Sequence, residues 1–267
     1  MIYDTFTFFK ELDLLEIRLH ELDGVVDKFV LVEADRTQSN QPKPFYYEEN
    51  KERFKEYQDK IIAVKSYGTE RFWNEGDQWC IDNATRDMVL TEVQYAPDDI
   101  VILDDSDQIP RASVIKNYVY TGPVRLAMIE AYYYFNCLHF NGVAGWPSSQ
   151  LWRYGDIPNR PSQIRTDQEI IGFMPGLVGN TVPDAGWHFS YMGGIEAIKE
   201  KIRAGSHWKE CGTPEFLDDG HLSQALSSGS DLFNRTDYFN ITTVPIDERF
   251  PKYLVENQDK FAKYIRR

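Results

Sequence analysis

Along the first hundred residues the apolar positions switch repeatedly between two spacings. Tyr3 to Phe9 has the aromatic and β-branched content of a strand. Glu11 to Leu22 then sets Leu12, Leu15, Leu19 and Leu22 at intervals of three, four and three, which predicts a helix with one buried stripe. Asp23-Gly24 is expected to end that helix, glycine being free to take the left-handed cap conformation. Phe29 to Val32 is apolar at every position, as a strand covered on both faces requires. A polar loop (Asp35 to Pro44), a charged helical stretch (Glu48 to Tyr57) and a strand (Ile61 to Val64) follow. A helix over about Gln78 to Tyr95 and a buried strand at Ile100 to Leu103 complete the series. Strand and helix alternating in this way predict an α/β fold with a mostly parallel, doubly wound sheet, whose ligands bind beyond the carboxyl ends of the strands.

Past Leu103 the pattern loosens. Val124 to Cys137, rich in Tyr and Phe, predicts one long strand, and Gly142 to Pro183 reads as irregular loops. Helices are expected again at Ile195–Arg203, Leu217–Ser227 and Glu256–Ile265. There is no repeat and no long linker, so residues 1–267 are expected to form one domain. Its first half, to about residue 110, is regular, and its second half, from 111 to 267, is irregular.

Charge narrows the function. The 267 residues carry 29 Lys and Arg against 42 Asp and Glu, a net charge of −13. That excess argues against a nucleic-acid partner, which needs a basic face. An anionic substrate would need a local metal ion or a few placed arginines. Three cysteines, Cys80, Cys137 and Cys211, form no CxxC pair, which suits a reducing, cytoplasmic setting. Neither a signal peptide nor an apolar run of the ~20 residues a membrane helix needs is evident.

The strongest local signal is Asp98-Asp99-Ile100-Val101-Ile102-Leu103-Asp104-Asp105-Ser106-Asp107-Gln108-Ile109-Pro110. A buried strand ends in three carboxylates within four residues, at the edge where ligands are expected. Read as a solvated turn, the run needs nothing more. Read as a site, it needs a cation, and Mn²⁺ or Mg²⁺ bound by carboxylate oxygen would bridge it to a phosphorylated substrate. On either reading repulsion among Asp104, Asp105 and Asp107 should make the metal-free fold no less stable when one of them is neutralised.

Asp104 to Pro110 resembles the D-x-D-E-I-P segment of glycosyltransferase family 17, whose members include the enzymes that add the bisecting N-acetylglucosamine. Lys10-Glu11-Leu12-Asp13-Leu14-Leu15-Glu16-Ile17-Arg18-Leu19, Val26 to Ala34, Lys43-Pro44, Gly186-Trp187-His188-Phe189-Ser190 and Pro251-Lys252-Tyr253-Leu254 also resemble landmarks of that family. The chain departs from it at Gln108, where the family usually has Glu, and the membrane anchor of the animal Golgi members is not expected from this sequence. The resemblance implies a GT-A-type fold, a nucleotide-sugar donor (UDP-GlcNAc), a glycan acceptor and inversion at the anomeric carbon.

Within that frame Asp105 and Asp107 are candidate metal ligands, with His188 as a third; otherwise His188 is a hydrogen-bonded core residue. His207 and His221 are weaker alternatives. Donor contacts are expected from Glu33, Thr37, Arg86, Asp104 and Asp105. Glu33 reads equally as an ordinary strand-end carboxylate, and Arg86 is otherwise an ion-pair partner of Asp82, four residues away on one helix face. A guanidinium suits phosphate oxygens. The general base of an inverting transfer is sought among Asp218 and Asp219, with Asp184 and Glu196 open and helix-dipole complementation as the other role. Trp146, Trp152, Trp187, Trp208 and Tyr132-Tyr133-Tyr134 are sugar-stacking or core residues. Two rival functions stay on the table. A nucleotidyltransferase acting on sugar phosphates would need an N-terminal glycine-rich loop, and residues 1–30 hold only Gly24. A non-catalytic glycan-binding protein would leave the acidic run unexplained.

Overall fold

Alternating strands and helices carry the chain back and forth across one large sheet in the computed structural model, which describes residues 1–139, 146–166, 181–233 and 241–267. The first half runs β1 (Ile2–Thr7), α1 (Leu12–Leu22), β2 (Lys28–Ala34), α2 (Tyr46–Asn50), β3 (Ile61–Ser66), α3 (Cys80–Thr91) and β4 (Ile100–Asp105). The second adds β5 (Gln108–Pro110), α4 (Ala112–Asn117), β6 (Val124–Tyr132), β7 (Cys137–His139), β8 (Trp146–Arg153) and α5 (Pro161–Thr166). After these come β9 (Thr181–Ser190), α6 (Gly194–Ala204), α7 (Trp208–Cys211), α8 (Asp219–Ser228), β10 (Ile241–Thr243) and α9 (Lys252–Glu256).

The strand order is β10-β7-β6-β8-β4-β1-β2-β3, with β9 beside β6 and β5 beside β9. Strands β3, β2, β1 and β4 are mutually parallel. From β1 the chain moves outward to β2 and β3, then returns to place β4 on the other side of β1. The order therefore reverses between β1 and β4, and a crevice opens at their carboxyl ends. Thr7 and Asp105 are register partners there.

Side-chain alternation along β1 and β2 packs helices on both faces. Phe6, Phe8, Phe29 and Leu31 meet Leu15, Leu19 and Leu22 of α1 and Tyr47 of α2 on one face. Tyr3, Val30 and Val32 meet Val89 of α3 on the other. This is why β2 reads as an unbroken apolar run.

Four details differ from the expectations. Helix α1 ends without a left-handed residue: Asp23 is right-handed helical, and Gly24 is not among the positive-φ residues. The expected strand over Val124–Cys137 breaks at Tyr133, whose φ of 69° turns the chain into the antiparallel strand β7. Its neighbours share the aromatic content of a strand, so composition hides the turn. Within the stretch expected to be irregular lie β8 and α5. Strand β8 inserts antiparallel between β4 and β6, and its apolar pattern is masked because Ser149 and Gln150 are buried on polar partners. The C-terminal helix lies earlier than expected, at α9, with only a short 3₁₀ turn at Ala262–Tyr264.

Candidate active site

Strand geometry separates the two aspartates that end β4. Successive side chains point to opposite faces of a sheet, and Asp104 and Asp105 do so. Asp104 faces α1, where Arg18 Nη2 donates to its Oδ2 at 3.0 Å and the Ser149 hydroxyl bonds its Oδ1. Asp105 faces α3, where Arg86 Nη2 donates to its Oδ1 at 2.7 Å.

Arg18 is the anchor of this region, and its side chain is wholly buried. Nε and Nη2 donate to the two oxygens of Asp4, both at 2.6 Å, and Nη2 also donates to Asp104. Nη1 donates to the carbonyls of Asp105 (3.0 Å) and Gln108 (2.6 Å). All five N–H groups of the guanidinium are thereby used. Burial, with one arginine shared between two carboxylates, holds Asp104 well above the usual carboxylate range. Asp104 is thus a buried brace, occupied by Arg18 and Ser149, although it lines the cleft together with Asp105, and Asp107 lies in the turn beyond.

Burial alone would raise the Asp105 carboxyl, but Arg165 and Arg86 more than offset it and hold it far below its ordinary value. Arg165, on α5, donates from Nη1 to Asp105 Oδ1 at 2.9 Å. The amide of Gln108 donates to Asp105 Oδ2 at 3.2 Å, and its carbonyl oxygen faces the Asp105 amide at 3.4 Å. Glutamate at 108 would lose that donated bond, so glutamine suits an ionised Asp105. Asp107 is likewise held far down, burial being overcome by Lys201 and His188. Lys201 Nζ, on α6, donates to Asp107 Oδ2 at 2.6 Å, and His188 Nε2 lies 3.7 Å from Oδ1. Strand β9 delivers His188 by pairing it with Gln108 of β5 and Glu130 of β6. Thr5, Thr7, Arg86, Asp105, Gln150 and Arg165 line a narrow cleft at the β1–β4 reversal.

Glu33 and Thr37 are engaged elsewhere. Glu33 is 2% exposed and accepts from Lys43 Nζ (2.9 Å) and from the amides of Tyr46 (2.6 Å) and Tyr47 (3.1 Å), so it fixes the start of α2. Thr37 Oγ1 accepts from the Gln41 amide at 2.9 Å within a loop. Arg86 keeps its pairing with Asp82, at 3.3 Å, as well as reaching Asp105.

Asp218 is the N-cap of α8, accepting the His221 amide at 3.0 Å, and Asp219 pairs with Lys199. Among the described residues neither is hydrogen-bonded or ion-paired to Asp105 or Asp107. Asp184 pairs with Arg111 at 2.6 Å, Glu196 with Lys199, and His207 faces Glu210. His221 packs on the Phe216 ring. Trp152 and Trp187 are buried in the core and present no sugar-stacking face. Tyr132 and Tyr133 are buried too. Trp208 packs against Trp73 with ring centroids 6.1 Å apart, and the Trp146 side chain lies outside the described residues.

Three site residues escaped the sequence reading. Arg18 left a visible signal, a charged residue in the Leu15–Leu19–Leu22 stripe. Arg165 and Lys201 left none, since they arrive from 60 and 94 positions away.

The family model described as glycosyltransferase family 17 matches residues 1–265. Proteins named beta-1,4-mannosyl-glycoprotein 4-beta-N-acetylglucosaminyltransferase, from Homo sapiens and Rattus norvegicus, are each 28% identical to the chain over 284 residues. The aligned region takes in 94% of this chain and 52% of each relative, so the chain spans about half the length of the curated relatives it matches.

Proposed function

The chain belongs to glycosyltransferase family 17, and on that premise we propose that it transfers N-acetylglucosamine from UDP-GlcNAc to a glycan hydroxyl, with inversion, on a GT-A-type fold. The observation that carries this reading is the placement of Asp105 as the last residue of β4, at the β1–β4 reversal, with Asp107 in the turn that follows and Arg86 in reach of Asp105. Among the described residues no helix is long and apolar enough to cross a membrane. The cytoplasm is the compartment proposed, since Cys80, Cys137 and Cys211 are all free thiols.

Among the described residues no three carboxylate, imidazole or thiol groups stand close enough together to hold a metal ion as placed, so a divalent cation would have to draw Asp105, Asp107 and His188 together. Two ionised carboxylates and an imidazole nitrogen, from Asp105, Asp107 and His188, match the ligand preferences of Mn²⁺ and, for the oxygens, Mg²⁺. Such an ion would neutralise charge on the departing diphosphate. The protein's own part is to keep Asp105 and Asp107 ionised and oriented, and to offer Arg86 to the phosphate oxygens. Arg18 and Gln108 fix the turn that carries both carboxylates. A carboxylate of the second half takes the acceptor proton as the hydroxyl attacks.

Of the two candidates for that base, Asp218 is taken up in capping α8, which leaves Asp219, and the cap role of Asp218 allows a clean separation. Asparagine caps a helix as well as aspartate does, whereas alanine costs about 1 kcal/mol. Asp218→Asn should therefore leave the melting temperature and kcat unchanged, and Asp218→Ala should lower only the former. A collapse of kcat in a stable Asp218→Asn protein would instead make Asp218 the base.

The reading is tested by incubating the protein with a panel of nucleotide sugars plus Mn²⁺ and measuring nucleotide release with and without EDTA. Release from UDP-GlcNAc that EDTA abolishes is the expected result. Release from no nucleotide sugar, or equal release in EDTA, overturns it.

A further inference from the structure

The segment between β3 and α3 carries an aromatic surface to the outer end of the crevice. Strand β3 is parallel to β4, so Trp73 and Trp79, which follow it, stand on the carboxyl side of the sheet. Trp79 is 38% exposed, the most open of the tryptophans with described side chains, and the His207 side chain beside it is 53% exposed. Their rings meet edge to face, with centroids 5.1 Å apart. The chain holds them there from several sides. The Asp77 carboxylate accepts the Trp79 amide at 2.9 Å, and Gln78 donates to Glu210 of α7 at 2.6 Å. Trp73 packs on Trp208, and Lys209 donates to the Glu75 carbonyl.

From this pair the rings continue inward. His207 lies 6.2 Å from Phe233, and Phe233 lies 5.6 Å from Tyr191, between ring centroids. Tyr191 follows β9, and its φ of 56° is a left-handed conformation that residues other than glycine seldom take. Its ring lies beneath Lys201, whose Nζ is 5.7 Å from the ring centroid and pairs with Asp107 at 2.6 Å and Glu11 at 3.7 Å. On α3, Trp79 stands seven residues before Arg86, about 10 Å along the helix axis from the residue that reaches Asp105. The track thus runs from open solvent to the acidic turn, over a length that suits a short oligosaccharide.

A pyranose ring has an apolar C–H face and a rim of hydroxyls. Aromatic rings in line, with polar groups between them, match that pattern. The ring faces cover the C–H face, and Gln78, His207 and Glu210 offer donors and acceptors to the hydroxyls. Asp77 and Glu210 beside the rings, on a chain of net charge −13, repel an anionic glycan and favour a neutral one. A flat nucleobase is gripped between parallel faces, whereas Trp79 and His207 stand at 89° to each other. Resting on the transferase reading above, we propose that Trp79, His207, Phe233 and Tyr191 bind the acceptor, a neutral oligosaccharide whose terminal sugar points toward Asp107.

Calorimetry of the intact protein in Mn²⁺ reads donor and acceptor separately, with UDP as one probe and mannotriose, chitotriose and trigalacturonate, each with and without UDP, as the others. At least one of the two neutral trisaccharides should bind, and the anionic one should not. Trp79→Ala should weaken the bound trisaccharide roughly three- to tenfold, the scale of one aromatic contact, and leave UDP affinity unchanged. Trp79→Phe keeps a ring and should retain most of the affinity. The Trp79 side chain makes no cap hydrogen bond to α3, so neither variant removes a bond that starts the helix. Val119→Ala, at an exposed apolar residue between α4 and β6, should change neither affinity. Melting curves establish that each variant is folded. Trisaccharide binding that Trp79→Ala leaves unweakened, or a preference for trigalacturonate, overturns the proposal, as does UDP binding with no trisaccharide binding. Loss of UDP affinity in Trp79→Ala makes the rings a nucleobase site and overturns it too. Trisaccharide binding without UDP binding overturns the transferase reading instead, and a protein that binds neither overturns both.

Discussion

Asparagine at position 107 should lower the rate of transfer by at least ~10²–10³-fold, the scale on which loss of one preorganised electrostatic contact at a reacting centre is felt. The substitution keeps the shape of the side chain and removes a hard anionic oxygen. Its carboxylate lies in the turn after β4 and contacts Lys201 and His188, so no apolar packing is disturbed. Electrostatics of the free carboxylates alone suggested that neutralising one of them would leave the metal-free fold equally or more stable. The structure reverses that expectation. Asp107 is held ionised by Lys201 and His188, and Asp105 by Arg165 and Arg86, so attraction outweighs repulsion. Loss of the Asp107–Lys201 pair, whose lysine is part-exposed and screened by solvent, should cost about 1 kcal/mol. Thermal melting in EDTA checks the sign, and single-turnover transfer checks the rate. A folded Asp107→Asn protein with most of its activity would remove Asp107 from the site.

How far such a site can be read from sequence depends on what kind of residue is buried. Strands β2 and β4 were legible because Phe29–Val32 and Ile100–Leu103 are apolar on both faces, and α1 because its leucines fall on one stripe. Strand β8 was not, since Ser149 and Gln150 occupy buried positions that pattern reading reserves for apolar residues. They are there because Asp104 and the Ile164 carbonyl need partners. The same blindness applies to the site. The acidic run was visible, but three aspartates in a row of letters look alike. The period of two in a strand turns Asp104 toward α1 and Asp105 toward α3, and the helices then decide their roles. Glu33 shows the converse: a carboxylate at the correct sheet edge whose two oxygens are already taken by Lys43 and the start of α2. Arg165 and Lys201 depend on tertiary approach alone, which no local pattern encodes.

The largest effect on the fold is expected at Arg18. Methionine there has a similar length and no charge, and it would leave Asp4 and Asp104 buried with no counter-ion and the carbonyls of Asp105 and Gln108 with no donor. Removing one partner of a buried ion pair typically costs about 3–5 kcal/mol, a large share of the roughly 5–15 kcal/mol that holds a domain together. Arg18→Met should therefore melt far earlier than wild type or fail to accumulate. Replacing the whole network by apolar residues of similar size is often neutral, because the desolvation of all the charges is avoided together. The triple variant Asp4→Leu, Arg18→Met, Asp104→Leu should thus recover much of the lost stability. It should not recover activity, because the turn carrying Asp105 and Asp107 is still without the two bonds from Arg18 Nη1. Stability and transfer separate only if Arg18 positions that turn as well as bracing the core. A triple variant that regains both would reduce Arg18 to a packing element, and one that regains neither would show that the ion network is required for the fold itself.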